Sequence, residues 1–485
     1  MNPLLLTDGY KLDHRRQYPA GTSLVYSNWT PRKSRVDGIE EVVFFGLQYF
    51  LKEYILTRFE RDFFARPKTE VTAEYTATVN AYLGPNMVGI QHIEALHDLG
   101  YIPMSFKALP EGVSVPIRVP MFTMVNTLPE FFWLTNYFET LLSAVVWMPC
   151  NSATIARQYR KILEAAAEKT SSAPEFVDWQ GHDFSMRGMA GIEAALMSAA
   201  GHLLSFSGSD TVPAVHWLEK YYNADSQTEL IAGSVAATEH SVMSMGTIDA
   251  EQETFRRLIE DVYPNGIVSI VSDTWDLWQV LTEFLPKLKD KVLARDGKVV
   301  IRPDSGDPVD IICGNPNGKT EQERKGVIEL LWDVFGGTIN AKGFRELDSH
   351  IGAIYGDSIT LDRAQQICDR LAAKQYASTN VVLGVGSFTY QYNTRDTFGF
   401  AMKATYGEVN GEGRAIYKDP ITDDGTKKSA RGLVRVEKEN GEFILHDEQT
   451  WSQEATGEFI EVFRDGKLLV DHKLSEVRSR VRSRD

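Results

Sequence analysis

The 485-residue sequence predicts an α/β protein with a β/α-barrel-like central domain and a mixed α/β domain built from the N- and C-terminal regions. A repeated pattern in the middle of the chain supports this prediction. Between about residue 145 and residue 400, apolar runs lead repeatedly into clusters of Gly, Ser, Asp, His or Arg, and then often into a helical pattern. Such repeats are typical of parallel sheets, and barrels carry functional groups at the carboxyl ends of their strands. A doubly wound sheet would give a similar pattern.

Five apolar runs define the predicted strands of the central domain: 230–232, 267–271, 299–301, 353–355 and 381–383. The fourth run precedes an amphipathic helix predicted at 361–373. Each run ends in a polar cluster, so we expect these clusters to meet at one edge of the sheet.

The flanking regions have a different character. Residues 40–45 predict a strand, and the apolar spacing across 47–55 predicts a helix. Residues 433–445 predict a hairpin, because Asn440 and Gly441 favour a tight turn. The alternating arginines after Arg478 predict a solvated tail.

These patterns divide the chain into three segments. Residues 1–145 form an N-terminal mixed α/β domain that packs with a β-rich segment, 405–485. We expect residues 146–404 to form the barrel-like domain and to carry any catalytic site.

Composition excludes several classes of protein. Apolar residues make up 43% and charged residues 24%, which is typical of a globular chain. No apolar run reaches the length of a membrane span, and the N-terminus lacks the features of a secretory signal. The three scattered cysteines favour a reducing compartment, so we expect a cytoplasmic protein. The net charge of −15 argues against binding to nucleic acid or anionic membranes.

Several familiar motifs are absent or incomplete. Residues 314–320 (GNPNGKT) resemble a phosphate-binding P-loop but have one residue too few between the glycines. The sequence contains no G-x-G-x-x-G, H-E-x-x-H or G-x-S-x-G motif and no Cys/His set with zinc spacing. Dinucleotide-binding, zinc-protease and serine-hydrolase functions therefore lose support.

Residues 302–306 (RPDSG) are the most informative candidate site. Arg302 follows an apolar strand and could clamp a phosphate, while Asp304 could accept from ribose hydroxyls or help hold Mg²⁺. An ordinary turn with a surface ion pair is the alternative. Two further strands lead into Gly356-Asp357 and residues 384–387 (GVGS), where glycine lets backbone N–H groups approach a phosphate. Together these clusters indicate a sugar-phosphate site.

Three other clusters add groups of different chemistry. Phe184 could stack on a flat ring while Arg187 faces a phosphate. Asp210 offers a carboxylate in a Gly/Ser-rich turn, although a helix cap is equally consistent with that position. His240 could serve as a base or a phosphoryl acceptor, although a lone histidine is more often structural.

The order of these motifs resembles the nicotinate/nicotinamide phosphoribosyltransferase family of type II phosphoribosyltransferases. The resemblance begins at residues 2–11 (NPLLLTDGYK) and ends at 418–420 (KDP), so it spans nearly the whole chain. The motifs between these ends are GLQY at 46–49, HDF at 182–184, GSDT at 208–211, EHS at 239–241, VSD at 271–273, RPDSG at 302–306, GD at 356–357 and TRD at 394–396.

The resemblance implies an activity and its cofactors. Nicotinamide would be joined to 5-phosphoribosyl 1-pyrophosphate, giving nicotinamide mononucleotide and pyrophosphate for NAD biosynthesis. The reaction would need Mg²⁺, and ATP would act as an activating co-substrate through phosphorylation of a histidine. The family works as homodimers with shared active sites.

The resemblance also implies roles for individual residues. Phe184 and the partner subunit's Tyr10 would sandwich the pyridine ring, and Asp210 would accept from the carboxamide NH₂. His240 would be phosphorylated, with Asp273 as its hydrogen-bonding orienter. Arg302, Asp304 and His240 would take part in catalysis. The remaining substrate contacts would come from Arg32, Arg187, Ser269, Gly356, Asp357, Gly386, Ser387, Arg395, Lys403, Lys418 and Lys427.

Three rival functions stay open from the sequence. Nicotinate phosphoribosyltransferase shares the chemistry, but Asp210 would repel the carboxylate of nicotinate. A barrel aldolase or isomerase would need a Schiff-base lysine or a dedicated acid/base pair, and no lysine stands at the end of a predicted strand. A non-catalytic dimeric binding protein is the third rival, and the intact acidic, basic and aromatic set argues against it.

Overall fold

The structure is a computed structural model that describes residues 1–85, 88–356, 358–422 and 429–483. It divides the chain into two compact units. Unit 1 contains residues 1–154, 216–225 and 393–485, and unit 2 contains residues 155–215 and 226–392. The boundaries drawn from the sequence, at 145/146 and 404/405, differ from these divisions, and the short segment 216–225 of unit 1 was not expected. Among the described residues, no helix combines the length and apolar character needed to cross a membrane.

Twenty strands are present in the described residues. In chain order they are β1 Thr22–Thr30, β2 Glu41–Val43, β3 Met104–Ala108, β4 Ser114–Pro116, β5 Phe122–Asn126, β6 Gly181–Asp183, β7 Gly208–Ser209, β8 Ala236–Ala237, β9 Asn265–Val271, β10 Asp296–Arg302, β11 Gly337–Ile339, β12 Arg345–Leu347, β13 Ile351–Tyr355, β14 Val381–Val385, β15 Ala401–Val409, β16 Glu412–Ala415, β17 Leu433–Glu439, β18 Glu442–Gln449, β19 Ile460–Arg464 and β20 Lys467–Leu468.

The described residues also form twenty α-helices, several of them extended by short 3₁₀ or π turns. In chain order they are α1 His14–Gln17, α2 Leu47–Tyr49, α3 Lys68–Leu83, α4 Gln91–Leu99, α5 Leu134–Tyr137, α6 Glu139–Thr170, α7 Val177–Gln180, α8 Ile192–Ser205, α9 Ala214–Tyr222, α10 His240–Met245, α11 Glu251–Arg257, α12 Leu277–Gln279, α13 Leu285–Leu293, α14 Pro308–Cys313, α15 Glu321–Lys325, α16 Val327–Phe335, α17 Leu361–Ala373, α18 Ser387–Gln391, α19 Trp451–Glu454 and α20 Leu474–Arg482.

Unit 1 is built on an antiparallel sheet that takes strands from both ends of the chain. Its strand order is β16-β15-β1-β5-β3-β19-β20, and the long strands β1 and β15 pair in antiparallel register. Trp29 on β1 is fully buried and stacks on Phe122 and Phe400, with ring centroids 6.1 and 5.4 Å away. The N- and C-terminal regions therefore share one core.

Unit 2 is built on a parallel sheet with the order β7-β6-β14-β13-β10-β9-β8. A parallel bridge between Gly208 on β7 and Gly233, which precedes β8, links the two edges of the sheet. The sheet thus curls into a ring, and the predicted barrel-like α/β fold is confirmed. Helix α17 shows why such a segment folds as an amphipathic helix: Thr360 caps its first turn, and its apolar side chains recur on one buried face.

Most predicted elements of unit 2 are confirmed. Strands form at four of the five predicted runs, and α17 covers the predicted helix at 361–373. The strand predicted at 230–232 is wrong. Leu230 is 52% exposed there, and the nearby strand is instead the short β8, which extends the sheet beside β9.

In unit 1 the hairpin is confirmed, since β17 and β18 pair across Asn440 and Gly441, both with positive φ. The predicted solvated tail is wrong. Residues 474–482 form α20, which buries Leu474, Val477 and Val481, and even Arg478 is only 9% exposed. These three apolar residues recur at helical spacing, and the alternating arginines obscured that pattern. Arg484 lies outside the described residues.

Candidate active site

Unit 2 contains a cavity of about 590 Å³ inside its ring of parallel strands. The lining includes residues that follow the carboxyl ends of the strands, namely Phe184 after β6 and Asp210 after β7, as well as Arg302, the last residue of β10. The volume is in the range of small-molecule sites. Parallel strands end at the same rim, so residues more than a hundred positions apart meet there.

Phe184 and Asp210 form one side of this rim. The Phe184 ring lies beside the His182 imidazole, with the centroids 4.5 Å apart. The Oδ1 atom of Asp210 accepts from His182 Nε2 at 2.9 Å and from Ser234 Oγ at 2.6 Å. An aromatic face and a carboxylate therefore stand together, as a flat ring bearing an amide would require.

The Asp210 carboxyl is held in its charged form. Burial by itself raises its pKa, but hydrogen bonds from His182 and Ser234, together with the positive charge of Arg302, more than offset burial and lower the pKa. A carboxylate in that state accepts hydrogen bonds and donates none.

A buried aspartate supports both loops around Phe184 and Asp210. Asp183 is fully buried and accepts from the backbone N–H and the hydroxyl of Ser185 and from the hydroxyls of Ser209 and Thr211. These bonds tie the loop after β6 to the loop after β7. The positions of Phe184 and Asp210 are therefore fixed relative to each other.

Arg302 brings a partly buried cation to the same rim. Its Nη2 donates to the carbonyl of Thr238, and its Nε atom has no partner among the described residues. Burial lowers the pKa of the guanidinium, and nearby Arg187 lowers it further. Two cations held close together, with free N–H capacity, suit an anion of high charge such as a diphosphate.

An acidic cluster stands beside Arg302. Ligand atoms of His240, Asp273 and Asp304 all lie within 4.8 Å of one another. His240 Nε2 lies 3.2 Å from Asp304 Oδ1, and its Nδ1 lies 3.1 Å from the hydroxyl of Thr274. Asp273 Oδ2 accepts from the backbone N–H groups of Asp304 and Ser305, each at 2.8 Å. The predicted orienter of His240 was Asp273, but Asp304 makes that hydrogen bond, and Asp273 Oδ2 instead binds the backbone of the turn that carries Asp304.

This cluster fits a magnesium ion by the chemistry of its donors. Asp273 Oδ1 is buried and has no hydrogen-bond partner among the described residues. Oxygen atoms of carboxylates are the ligands that Mg²⁺ prefers, and the ion keeps further positions for substrate phosphates. Asp273 and Asp304 are therefore the fitting residues, and His240 lies next to them.

The remaining predicted residues of unit 2 lie on the same strands or just after them. Ser269 on β9 lines the cavity, and its buried hydroxyl has no partner among the described residues. Gly356 follows β13, and its N–H donates to Pro303 in the turn after β10. Gly386 and Ser387 follow β14. A Cβ atom on Gly188 would lie 2.0 Å from Ser387 Oγ, so the turn containing Arg187 packs closely on this loop. Asp357 lies outside the described residues.

The predicted residues of unit 1 form a group of their own. Tyr10 is 63% exposed and lines a cavity of about 250 Å³ with Arg395. Burial lowers the pKa of the Lys403 ammonium, and the charges of Arg32 and Lys418 lower it further, which places these three cations near one another. Arg32 Nε also donates to the carbonyl of Gly399. Lys427 lies outside the described residues.

Sequence reasoning missed two residues that hold Asp210. His182 belongs to the HDF motif, but only its neighbour Phe184 was assigned a role. Ser234 stands in a Gly-Ser cluster after a predicted strand, and its contact with Asp210 depends on the link between Gly208 and Gly233. No local pattern predicts that link, because the two glycines are distant in sequence.

Comparisons with known proteins agree with this geometry. The model of the nicotinate phosphoribosyltransferase (NAPRTase) family matches residues 179–459, and the model of the nicotinamide phosphoribosyltransferase N-terminal domain matches residues 2–82.

Several curated relatives carry the name nicotinamide phosphoribosyltransferase, and three of them illustrate the range of similarity. The one from Acinetobacter baylyi is 52% identical, over 99% of this chain and 97% of the relative. The relative from Mycoplasma pneumoniae is 37% identical, over 88% of this chain and 94% of its own length. The one from Xanthomonas campestris pv. campestris is 32% identical, over 99% and 97% of the two chains.

Two solved structures share the fold. Nicotinate-nucleotide pyrophosphorylase from Pyrococcus furiosus has a TM-score of 0.55 at 15% identity, over 98% of this chain and 93% of that one. Human nicotinic acid phosphoribosyltransferase has the same score and identity, over 98% and 92% of the two chains. With a family model matched over more than half of its length, the chain belongs to the nicotinate phosphoribosyltransferase family.

Proposed function

We propose that the protein is a nicotinamide phosphoribosyltransferase, a pentosyltransferase of NAD salvage. It would join nicotinamide to 5-phosphoribosyl 1-pyrophosphate and release nicotinamide mononucleotide and pyrophosphate. The observation that carries the proposal is Asp210, an anionic acceptor fixed beside the Phe184 ring at the rim of a barrel cavity. Relatives named for this activity, matched over nearly the full chain, support it.

The pyridine ring would stack on Phe184, with its carboxamide NH₂ donating to Asp210. Nicotinamide is neutral, so stacking and a few hydrogen bonds are the interactions available to hold it. Nicotinate carries a carboxylate with no donor, and Asp210 would repel it. Asp210 therefore favours the amide over nicotinate, the substrate of the rival activity.

The diphosphate substrate would be held by the cations and acids of the rim. Arg302 and Arg187 would bind pyrophosphate, and Asp304, Gly356 and Asp357 would face the ribose. Gly386 and Ser387 would bind the 5′-phosphate. The transfer passes through a ribosyl centre with developing positive charge, so the protein's contribution is positioning and charge stabilisation.

Asp273 and Asp304 are the residues that would hold Mg²⁺. When bound there, the ion would neutralise charge on the leaving pyrophosphate. The two carboxylates also place negative charge beside the ribosyl centre, which favours the oxocarbenium-like state.

ATP would activate the enzyme by phosphorylating His240. The imidazole is 46% exposed, so a phosphoryl donor can reach it. Asp304 on its Nε2 side and Thr274 on its Nδ1 side fix the ring plane. A phosphorylated His240 would add negative charge near the metal-binding carboxylates and tighten binding of the magnesium-loaded diphosphate.

The active form would be a homodimer with shared sites. Tyr10 of the partner subunit would cover the second face of the pyridine ring, and the partner's Arg32 and Lys403 would join Arg395 around the 5′-phosphate. The exposure of Tyr10 and the grouping of Arg32, Lys403 and Lys418 support this arrangement. Lys418 and Lys427 would steer the anionic substrates towards the site.

The protein would work in the cytoplasm, because its three cysteines are buried and free, as is usual in a reducing compartment.

The direct test is mononucleotide formation. The purified protein is incubated with 5-phosphoribosyl 1-pyrophosphate, Mg²⁺ and either nicotinamide or nicotinate, with and without ATP. We expect nicotinamide mononucleotide as the main product. Exclusive use of nicotinate would favour the rival activity, and no product from either base would overturn the proposal.

Replacing Asp210 tests the choice between amide and acid. Asp210→Asn and Asp210→Ser remove the negative charge, so the ratio of kcat/KM for nicotinamide to that for nicotinate should fall by about tenfold or more. Steady-state kinetics with both bases measure it. Asp369→Asn, on the exposed face of α17, is the matched control and should keep the wild-type ratio. An unchanged ratio in both Asp210 variants would remove Asp210 from this role.

Replacing Asp273 tests the metal site. In Asp273→Asn one side-chain oxygen can still accept from the N–H groups of Asp304 and Ser305, while the second, unpartnered oxygen is lost. The Mg²⁺ concentration for half-maximal activity should rise roughly tenfold. Titration of activity with Mg²⁺ measures this change, with Asp369→Asn again as control. A wild-type titration curve would show that Asp273 holds no metal.

Removing the imidazole of His240 tests the coupling to ATP. His240→Ala should abolish ATP hydrolysis but leave slow mononucleotide synthesis, because the residues that bind both substrates are intact. Phosphate release from ATP and product formation are followed in parallel, with the exposed His216→Ala as control. ATP hydrolysis that persists in His240→Ala would disprove the assignment.

A further inference from the structure

The two oxygens of the Asp210 carboxylate have different surroundings. Oδ1 accepts from both His182 Nε2 and Ser234 Oγ, at 2.9 and 2.6 Å. Oδ2 has no hydrogen-bond partner among the described residues, and the side chain is 44% exposed. One oxygen is thus anchored to the protein, and the other is left for a ligand that donates a hydrogen bond.

Of the two residues that donate to Asp210 Oδ1, His182 is the buried one. It is 8% exposed and lies on β6, with Gly384 of β14 and Gly208 of β7 as its neighbours across the sheet. The imidazole contacts the Phe184 ring on one side. On the other side it leaves no room for a side chain at position 208, since a Cβ atom there would lie 2.6 Å from His182 Nδ1.

The direction of the hydrogen bond follows from its acceptor. A carboxylate can only accept, so the proton of this bond is on His182 Nε2. The N–H belongs to a buried, packed ring on β6, whereas the hydroxyl of Ser234 belongs to an exposed residue in the segment before β8. His182 therefore fixes the tilt of the Asp210 carboxylate, and its imidazole supports the Phe184 ring.

We propose that His182 is a positioning residue that makes the site selective for nicotinamide over nicotinate, by aiming Asp210 Oδ2 at the carboxamide NH₂. The inference rests on the proposed function and deepens it, since it assigns the selectivity to a pair of residues rather than to Asp210 alone. His182 does not contact the reacting atoms; it acts through Asp210 and Phe184.

The test is a double-mutant cycle between His182 and Asp210. His182→Leu removes the N–H while keeping an apolar side chain against Phe184, and His182→Gln restores an N–H donor. Each is made in the wild-type chain and in Asp210→Asn. The kcat and KM for nicotinamide and for nicotinate are measured at saturating 5-phosphoribosyl 1-pyrophosphate, and the midpoint of thermal unfolding is recorded for every variant.

We expect His182→Leu to raise the KM for nicotinamide roughly tenfold, the effect of losing one charge-assisted hydrogen bond, with kcat little changed. The ratio of kcat/KM for nicotinamide to nicotinate should fall accordingly. His182→Gln should recover most of the loss. In the Asp210→Asn background His182→Leu should have little further effect, because the residue through which it acts has been changed.

Two results would overturn the proposal. One is an equal loss from His182→Leu in both backgrounds, which would show an effect independent of Asp210. The other is a selectivity ratio unchanged by His182→Leu in a variant with a wild-type unfolding midpoint. If His182→Leu does not fold, His182→Met, which likewise has no N–H donor, takes its place in the cycle. A wild-type protein that forms no nicotinamide mononucleotide would instead contradict the proposed function.

Discussion

The parallel hydrogen bonding of the unit 2 sheet is the constraint on which the site depends. Because all its strands run in one direction, every strand delivers its last residues to the same rim. The link between Gly208 and Gly233 joins the two edges of the sheet, and this junction brings Ser234 to Asp210. The buried Asp183 then fixes the loop that carries Phe184 to the loop that carries Asp210. The backbone topology thus sets the chemistry of the rim before any ligand arrives.

Charge is distributed unevenly in this acidic chain. The net charge is −15, yet unit 2 places Arg187 and Arg302 at the rim, and unit 1 groups Arg32, Lys403 and Lys418. Burial is the main cause of the lowered pKa values of Arg302 and Lys403. Nearby carboxylates oppose this lowering, and repulsion from neighbouring cations adds to it. A bound polyanion would relieve that repulsion, so the arrangement fits a substrate with several phosphate charges.

The fold and much of the site could be predicted because they depend on local patterns. The apolar runs at 267–271 and 299–301 specify strands, and the polar residues after them, such as Asp273 and Arg302, fall at the rim in a barrel. What the sequence could not show depends on distant pairing. The strand expected at 230–232 is displaced to β8, Asp304 replaces Asp273 as the partner of His240, and the tail around Arg478 packs as a helix. His182 was overlooked because its role arises from contacts across the sheet.

The most direct measurement of the central claim is a crystal structure of the protein with nicotinamide bound. The account predicts that the pyridine ring stacks on Phe184 and that the carboxamide nitrogen lies about 3 Å from the unpartnered oxygen of Asp210. His182 should still donate to the opposite oxygen. A ring bound away from Phe184, or an Asp210 carboxylate turned away from the amide, would contradict the account.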